Sequence, residues 1–223
     1  DDYMNNVIKK HEHTLAKKEQ DRINHVNTLD ANTGPIFLTY RKNNAVDMQV
    51  NKWISEHEPV YNFDYDGVGQ TVWVIDDVAV SNKIQYEFSR VESLYIADGH
   101  HRCASAVRVG NMRRQENPNY TGEEEFNFFL AVAFPDCDLE IMDYNRVVRD
   151  LNGYTFDEFL KEVEKCFYVE QLDGRHRPIK KHTFSMYYDG GWYSLKAKKD
   201  SFDENDPVAR LDVSILQNNL LAP

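Results

Sequence analysis

Cysteine is scarce in this chain and shows no pairing pattern: Cys103, Cys137 and Cys166 are far apart, odd in number and without CxxC spacing. That argues against a disulfide framework and against a structural zinc site built on thiolates. The expectation is three small buried hydrophobes in a reducing cytoplasm. Long apolar runs are missing too: none approaches the roughly 20 residues of a membrane-spanning helix, and no signal peptide is visible. Basic residues are outnumbered, 26 Lys and Arg against 37 Asp and Glu. The resulting formal charge of -11 argues against general nucleic-acid binding, which needs clustered cations for the phosphates. A small anion held by local basic groups stays compatible with that balance. HEXXH spacing, internal repeats and low-complexity tracts are absent.

What is present points to a folded α/β or α+β protein with a mixed sheet. Apolar residues make up 41% of the 223, with 13 Tyr and 12 Phe, enough to bury one large core or two small ones. Helical periodicity alternates with short β-branched and aromatic runs. Helices are expected over Lys17 to Leu29, Ala45 to Glu56, a segment capped by Asp77, Cys103 to Arg114, Phe156 to Cys166 capped by Thr155, and Pro207 to Leu220. Strands are expected at PIFLTY (Pro35 to Tyr40), SLYIA (Ser93 to Ala97), FNFFLAVAF (Phe126 to Phe134) and FYVEQL, with hairpins around Asp66-Gly67-Val68-Gly69 and Asp189-Gly190-Gly191. A boundary near Asn152-Gly153 divides a core of residues 1–150 from a closely packed C-terminal α+β lobe of residues 151–223. The chain opens DDYMNN without an initiator Met and closes NNLLAP after an amphipathic segment, as expected of a piece of a longer protein.

The stretch YIADGHHRCASA, Tyr95 to Ala106, carries the chemistry. A strand, an Asp-Gly turn and a helix start in succession can bind phosphate, because the first helical turn has unpaired N–H groups and a partial positive charge. Gly99 lets the backbone approach an anion, and His100, His101 and Arg102 add donors where their charge disfavours the helix itself. Three alternatives compete. Adjacent histidines point about 100° apart, which disfavours a shared metal, so no metal ligands are assigned. A Cys103–His100 nucleophile pair is conceivable at i, i+3, but Cys103 lies on a small-residue face suited to the core. In the third, Asp98 caps the helix and the histidines are solvated.

Together with HEHT (His11 to Thr14), ANTGPIFLTY, WVIDD (Trp73 to Asp77) and YNRVVRDLNG (Tyr144 to Gly153), the DGHHR motif resembles the bacterial domain-of-unknown-function family number one thousand and fifteen. DGHHR itself resembles the phosphate motif of the ParB/sulfiredoxin-like superfamily, which includes free serine kinases. The resemblance implies a ParB/sulfiredoxin-like core that binds ATP or ADP through Gly99, His100, His101 and Arg102, with Mg2+, and phosphorylates the hydroxyl of a small molecule such as serine. It implies a catalytic carboxylate N-terminal to the motif, for which Glu12 is the candidate; Asp98, as a base or a metal ligand, and His100 are the further catalytic candidates. His100 stands where sulfiredoxins have a reactive cysteine, so sulfinic-acid reduction is not expected. A basic helix-turn-helix, as in ParB, does not follow.

Around this motif, His11 and Arg22 are expected to clamp substrate, and Asn145 and Arg146 to face the site with Arg149 structural. The ordinary alternative for HEHT, beside Lys9, Lys10, Lys17 and Lys18, is a solvated charged surface. The expectation is a cytoplasmic nucleotide-binding protein, either a kinase or a nucleotide-responsive binding module without turnover.

Overall fold

In the computed structural model, residues 2–223 are described. The chain divides into two compact units, Asp1–Met142 and Asp143–Pro223. The first contains β1 (Ile8–Lys9), α1 (Ala16–Leu29), β2 (Ile36–Tyr40), α2 (Asn44–Glu56), β3 (Tyr61–Tyr65), β4 (Val68–Val72), α3 (Val78–Ser89), β5 (Leu94–Asp98), α4 (His100–Glu116) and β6 (Ala131–Pro135). The second contains α5 (Phe156–Cys166), β7 (Phe167–Leu172), β8 (Thr183–Tyr188), β9 (Gly191–Ala197) and α6 (Asp212–Leu216). The fold is of the α/β class.

In the first unit, four strands form one mixed sheet in the order β1-β5-β2-β6. β1 runs parallel to β5, β5 antiparallel to β2, and β2 parallel to β6. The alternation along IFLTY buries Ile36, Leu38 and Tyr40, as the period-2 pleat requires. Ile8, Ile36, Leu38 and Ile96 of the sheet meet Cys103 of α4 in one core cluster. α4 can lie close because its inner residues are small: Cys103, Ala104, Ser105, Ala106 and Gly110 are all buried. A Cβ on Gly110 would stand 2.5 Å from the Phe126 carbonyl oxygen, so only glycine admits that approach. β3 and β4 form a separate hairpin. The second unit is an antiparallel sheet, β7-β9-β8, packed on α5 and α6 through Val163, Phe167, Leu195, Ala197 and Ile215.

Several expectations are corrected. FNFFLAVAF is not one buried strand: Glu125–Asn127 is a 3-10 turn, the strand begins at Ala131, and Val132 and Phe134 are exposed. Its apolar run lies on an edge strand, and an unbroken run by itself says nothing of what covers it. The last helix does not start at Pro207, because the Asp206 carboxylate takes the N–H groups of Val208 and Ala209 and makes a turn there. α-Helix covers Asp212–Leu216 alone and continues as a π turn, Gln217–Leu221. α3 keeps its Asp77 cap but buries no residue, and Val78 is exposed. Of the cysteines, Cys103 is buried, Cys166 half-buried and Cys137 exposed.

Candidate functional site

α4 begins three residues earlier than its apolar pattern suggests, directly after β5. Gly99 supplies the reversal from strand to helix at φ 92° and ψ 31°, in the left-handed region. That region costs other residues of the order of 1 kcal/mol or more. Asp98 does not cap the helix; its Oδ2 accepts from Arg102 Nη2 at 2.9 Å. No side chain caps α4 at all, so the first-turn N–H groups of His100, His101 and Arg102 lack intrahelical acceptors.

Arg102 folds back over this turn. A Cβ added at Gly99 would stand 3.0 Å from both Nε and Nη2 of Arg102, and one at Gly34 3.9 Å from its Nη1. Gly99 therefore makes room for the guanidinium, whereas a Cβ at Gly34 would only touch it at ordinary van der Waals distance. Its Nε is buried with no hydrogen-bond partner. Arg102 lines a small cleft with Arg22, His25, Asn32, Thr33 and Gly34, where His25 Nε2 and Thr33 Oγ1 are 3.1 Å apart.

The two histidines diverge, as adjacent helical positions must. His101 Nε2 accepts the Leu15 N–H at 3.1 Å, which ties the HEHT segment to α4. Ser105, fully buried, donates to the His101 carbonyl at 2.6 Å and lies 3.2 Å from the Glu19 carbonyl on α1. His100 points elsewhere: its Nδ1 is 3.5 Å from Glu12 Oε2, and its ring meets that of His11 edge-on at 4.4 Å. The side chain is only 5% exposed, and Nε2 has no partner. Burial, and then the nearby His11, lower the His100 pKa below the usual imidazole value, against the opposing pull of Glu12 and Asp98. His100 is thus a neutral imidazole near pH 7. The alternative nucleophile is disposed of by the same burial, which pushes the Cys103 thiol up to about 12 and leaves no thiolate at neutral pH.

The structure therefore brings His11, Glu12 and His100 together and Arg22 beside Arg102, while His101 is turned to the Leu15 N–H. Asn145 and Arg146 belong to the other unit. They lie in an irregular exposed segment where the Arg146 guanidinium stacks 3.9 Å over Tyr144. Arg41, at the end of β2, is engaged by Asp136 at 2.6 Å. The sequence gives no sign of a role for His25, Thr33 or Gly34 at this cleft. The proximity of ANTG to DGHHR depends on β2 and β5 pairing, which no local pattern announces.

A family model described as Protein of unknown function (DUF1015) matches residues 1–214. Neither the curated proteins nor the solved structures include a match.

Proposed function

The chain belongs to the DUF1015 family, and on that premise we propose that it is a nucleotide-binding enzyme with a ParB/sulfiredoxin-like core that transfers phosphate from ATP or ADP to the hydroxyl of a small molecule such as serine. One observation carries the reading: a left-handed Gly99 opens an uncapped helix whose first turn holds three cationic or neutral donors, with a guanidinium laid across it whose Nε is unsatisfied. An anion is the partner that satisfies unpaired N–H groups, helix dipole and guanidinium at once. Phosphate in this cradle would lie against the first-turn N–H groups and the Arg102 guanidinium, which itself covers Gly99, with His101 fixed by Leu15 and Arg22 adding charge from α1.

Glu12 is the better-placed carboxylate for orienting or deprotonating a hydroxyl, because Asp98 is engaged by Arg102. Mg2+ takes oxygen ligands and keeps phosphate partners, so it would enter with the nucleotide. Calorimetry with ATP and ADP tests the cradle: Arg102→Ala is expected to weaken binding by about 10- to 100-fold, the scale of a lost charge-assisted hydrogen-bond set. Unchanged affinity overturns it. Transfer from labelled ATP to free amino acids tests turnover, with loss expected in Glu12→Gln. Binding without any transfer would favour the second reading, a nucleotide-responsive module, which the loose 3.5 Å His100–Glu12 contact also permits.

A further inference from the structure

We propose that His11, Glu12 and His100 form a site for one divalent transition-metal ion of the Zn2+, Co2+ or Mn2+ class, distinct from any Mg2+ carried by a nucleotide. One donor atom from each of the three lies within 4.8 Å of the others. The His100 Nδ1 to Glu12 Oε2 separation of 3.5 Å is long for a good N–H···O hydrogen bond. It is close to the edge of about 3.3 Å that separates two ligands on a tetrahedral ion with bonds of ~2.0–2.1 Å. The His11 and His100 rings stand at 83° to one another, so they meet by their edges, where the ring nitrogens are, and do not stack.

His100 supplies the independent observation. Its side chain is buried, and the Nδ1 that would bind the ion meets the Glu12 carboxylate at a separation too long for a good hydrogen bond; the unpartnered Nε2 is the ring's other nitrogen and would carry its N–H. His11 and Glu12 are exposed, so an ion could reach the cluster from solvent and close it against His100. Their segment follows β1 and is held to α4 by the Leu15–His101 hydrogen bond. Two imidazoles and one carboxylate are the donor set of three-ligand zinc centres with an open position. The same set suits Mg2+ poorly, since that ion prefers oxygen and octahedral geometry. A cation at a helix N-terminus is opposed by the dipole, which the Glu12 carboxylate offsets.

The inference stands apart from nucleotide binding, because the probe is the metal ion alone. Chelator-stripped protein without nucleotide is titrated with Co2+, followed by visible absorption, and with Zn2+ by calorimetry. One ion per chain is expected, with the strong visible bands of a tetrahedral Co2+ centre, and an equal concentration of Mg2+ should not displace it. His11→Ala and Glu12→Gln alter exposed residues, and circular dichroism checks that they fold. Each should weaken binding at least tenfold, whereas Cys137→Ser should bind as the parent does. Failure to take up one ion per chain, an affinity unchanged from the parent in the His11→Ala and Glu12→Gln variants, or loss in Cys137→Ser overturns the site. Retained ATP affinity beside absent metal uptake would sink this inference and leave the phosphate cradle standing.

Discussion

The starts of α4 and α5 answer the same physical problem in opposite ways. At α5, Thr155 and Glu158 form a complete capping box: Thr155 Oγ1 accepts from the Glu158 N–H, and Glu158 Oε2 accepts from the Thr155 N–H at 2.9 Å. Asp157 and Glu158 then place negative charge in the first turn, where the dipole favours it. At α4, the cap is a left-handed glycine without a side-chain acceptor, no acidic residue occupies the first turn, and His100, His101 and Arg102 fill it. The first start is self-sufficient; the second leaves a buried imidazole nitrogen and a buried guanidinium nitrogen without partners. Sequences that specify a fold tend to agree with local rules everywhere except where function demands otherwise. α1 and α6 also start without a side-chain cap, so what sets α4 apart is its cationic first turn with two buried unpartnered nitrogens, the feature on which the proposed site rests.

The largest way to break the contrast is at Gly99. Gly99→Ala adds a Cβ at positive φ and 3.0 Å from the Arg102 guanidinium. Nucleotide affinity in calorimetry should fall by about 100-fold, on the scale of losing the close backbone approach and one charged donor. Stability should fall by about 1–3 kcal/mol from the strained backbone, read from urea denaturation. Gly110→Ala tests the middle of the same helix, where the Phe126 carbonyl blocks a Cβ at 2.5 Å. A loss of about 1–3 kcal/mol is expected from overpacking, with affinity unchanged in the folded fraction. Thr155→Ala removes a cap that carries no site, so about 1 kcal/mol of stability should go and nothing else. Equal effects of Gly99→Ala and Thr155→Ala on nucleotide affinity would erase the distinction between the two starts.

How much of this could be read beforehand differs along the chain for physical reasons. α5 was legible to its last residue because Thr155, the apolar face and the following strand are all local signals. β2, with its BiBiB burial, was equally plain. The helix start at His100 was placed at Cys103, because two histidines and an arginine carry no apolar periodicity and hide the first turn. β1, two residues long, has no periodicity to find. In the candidate site, DGHHR is visible as a strand-turn-helix device. The convergence of His100 with His11 and Glu12 is not, since local spacing pairs His100 with His101, which the helix sends apart. The partners that meet are 88 and 89 positions away in sequence, brought in by the parallel pairing of β1 with β5.

The smallest expected effect separates the two helix starts by pH, in metal-free protein. His100 has its pKa lowered from the model-peptide value of 6.5, first by burial and next by His11, with His101 adding to the shift and Glu12 and Asp98 opposing it. The unfolded chain then takes up the proton more readily than the folded one. Stability is intact above 6.5 and declines as pH falls from 6.5 toward the folded value. Glu158 is also lowered, from 4.5, by its hydrogen bonds from Thr155, but its window lies lower: the contribution is present above 4.5 and is lost as pH falls through the folded pKa. Melting temperatures of parent and His100→Gln should therefore converge as pH falls below 6.5 and the parent loses its advantage, while Thr155→Ala and the parent stay a fixed interval apart there and converge only below about pH 4.5. Convergence of both variants in the same window would mean that the imidazole and the carboxylate are coupled to one acid transition, and the two helix starts would no longer count as independent.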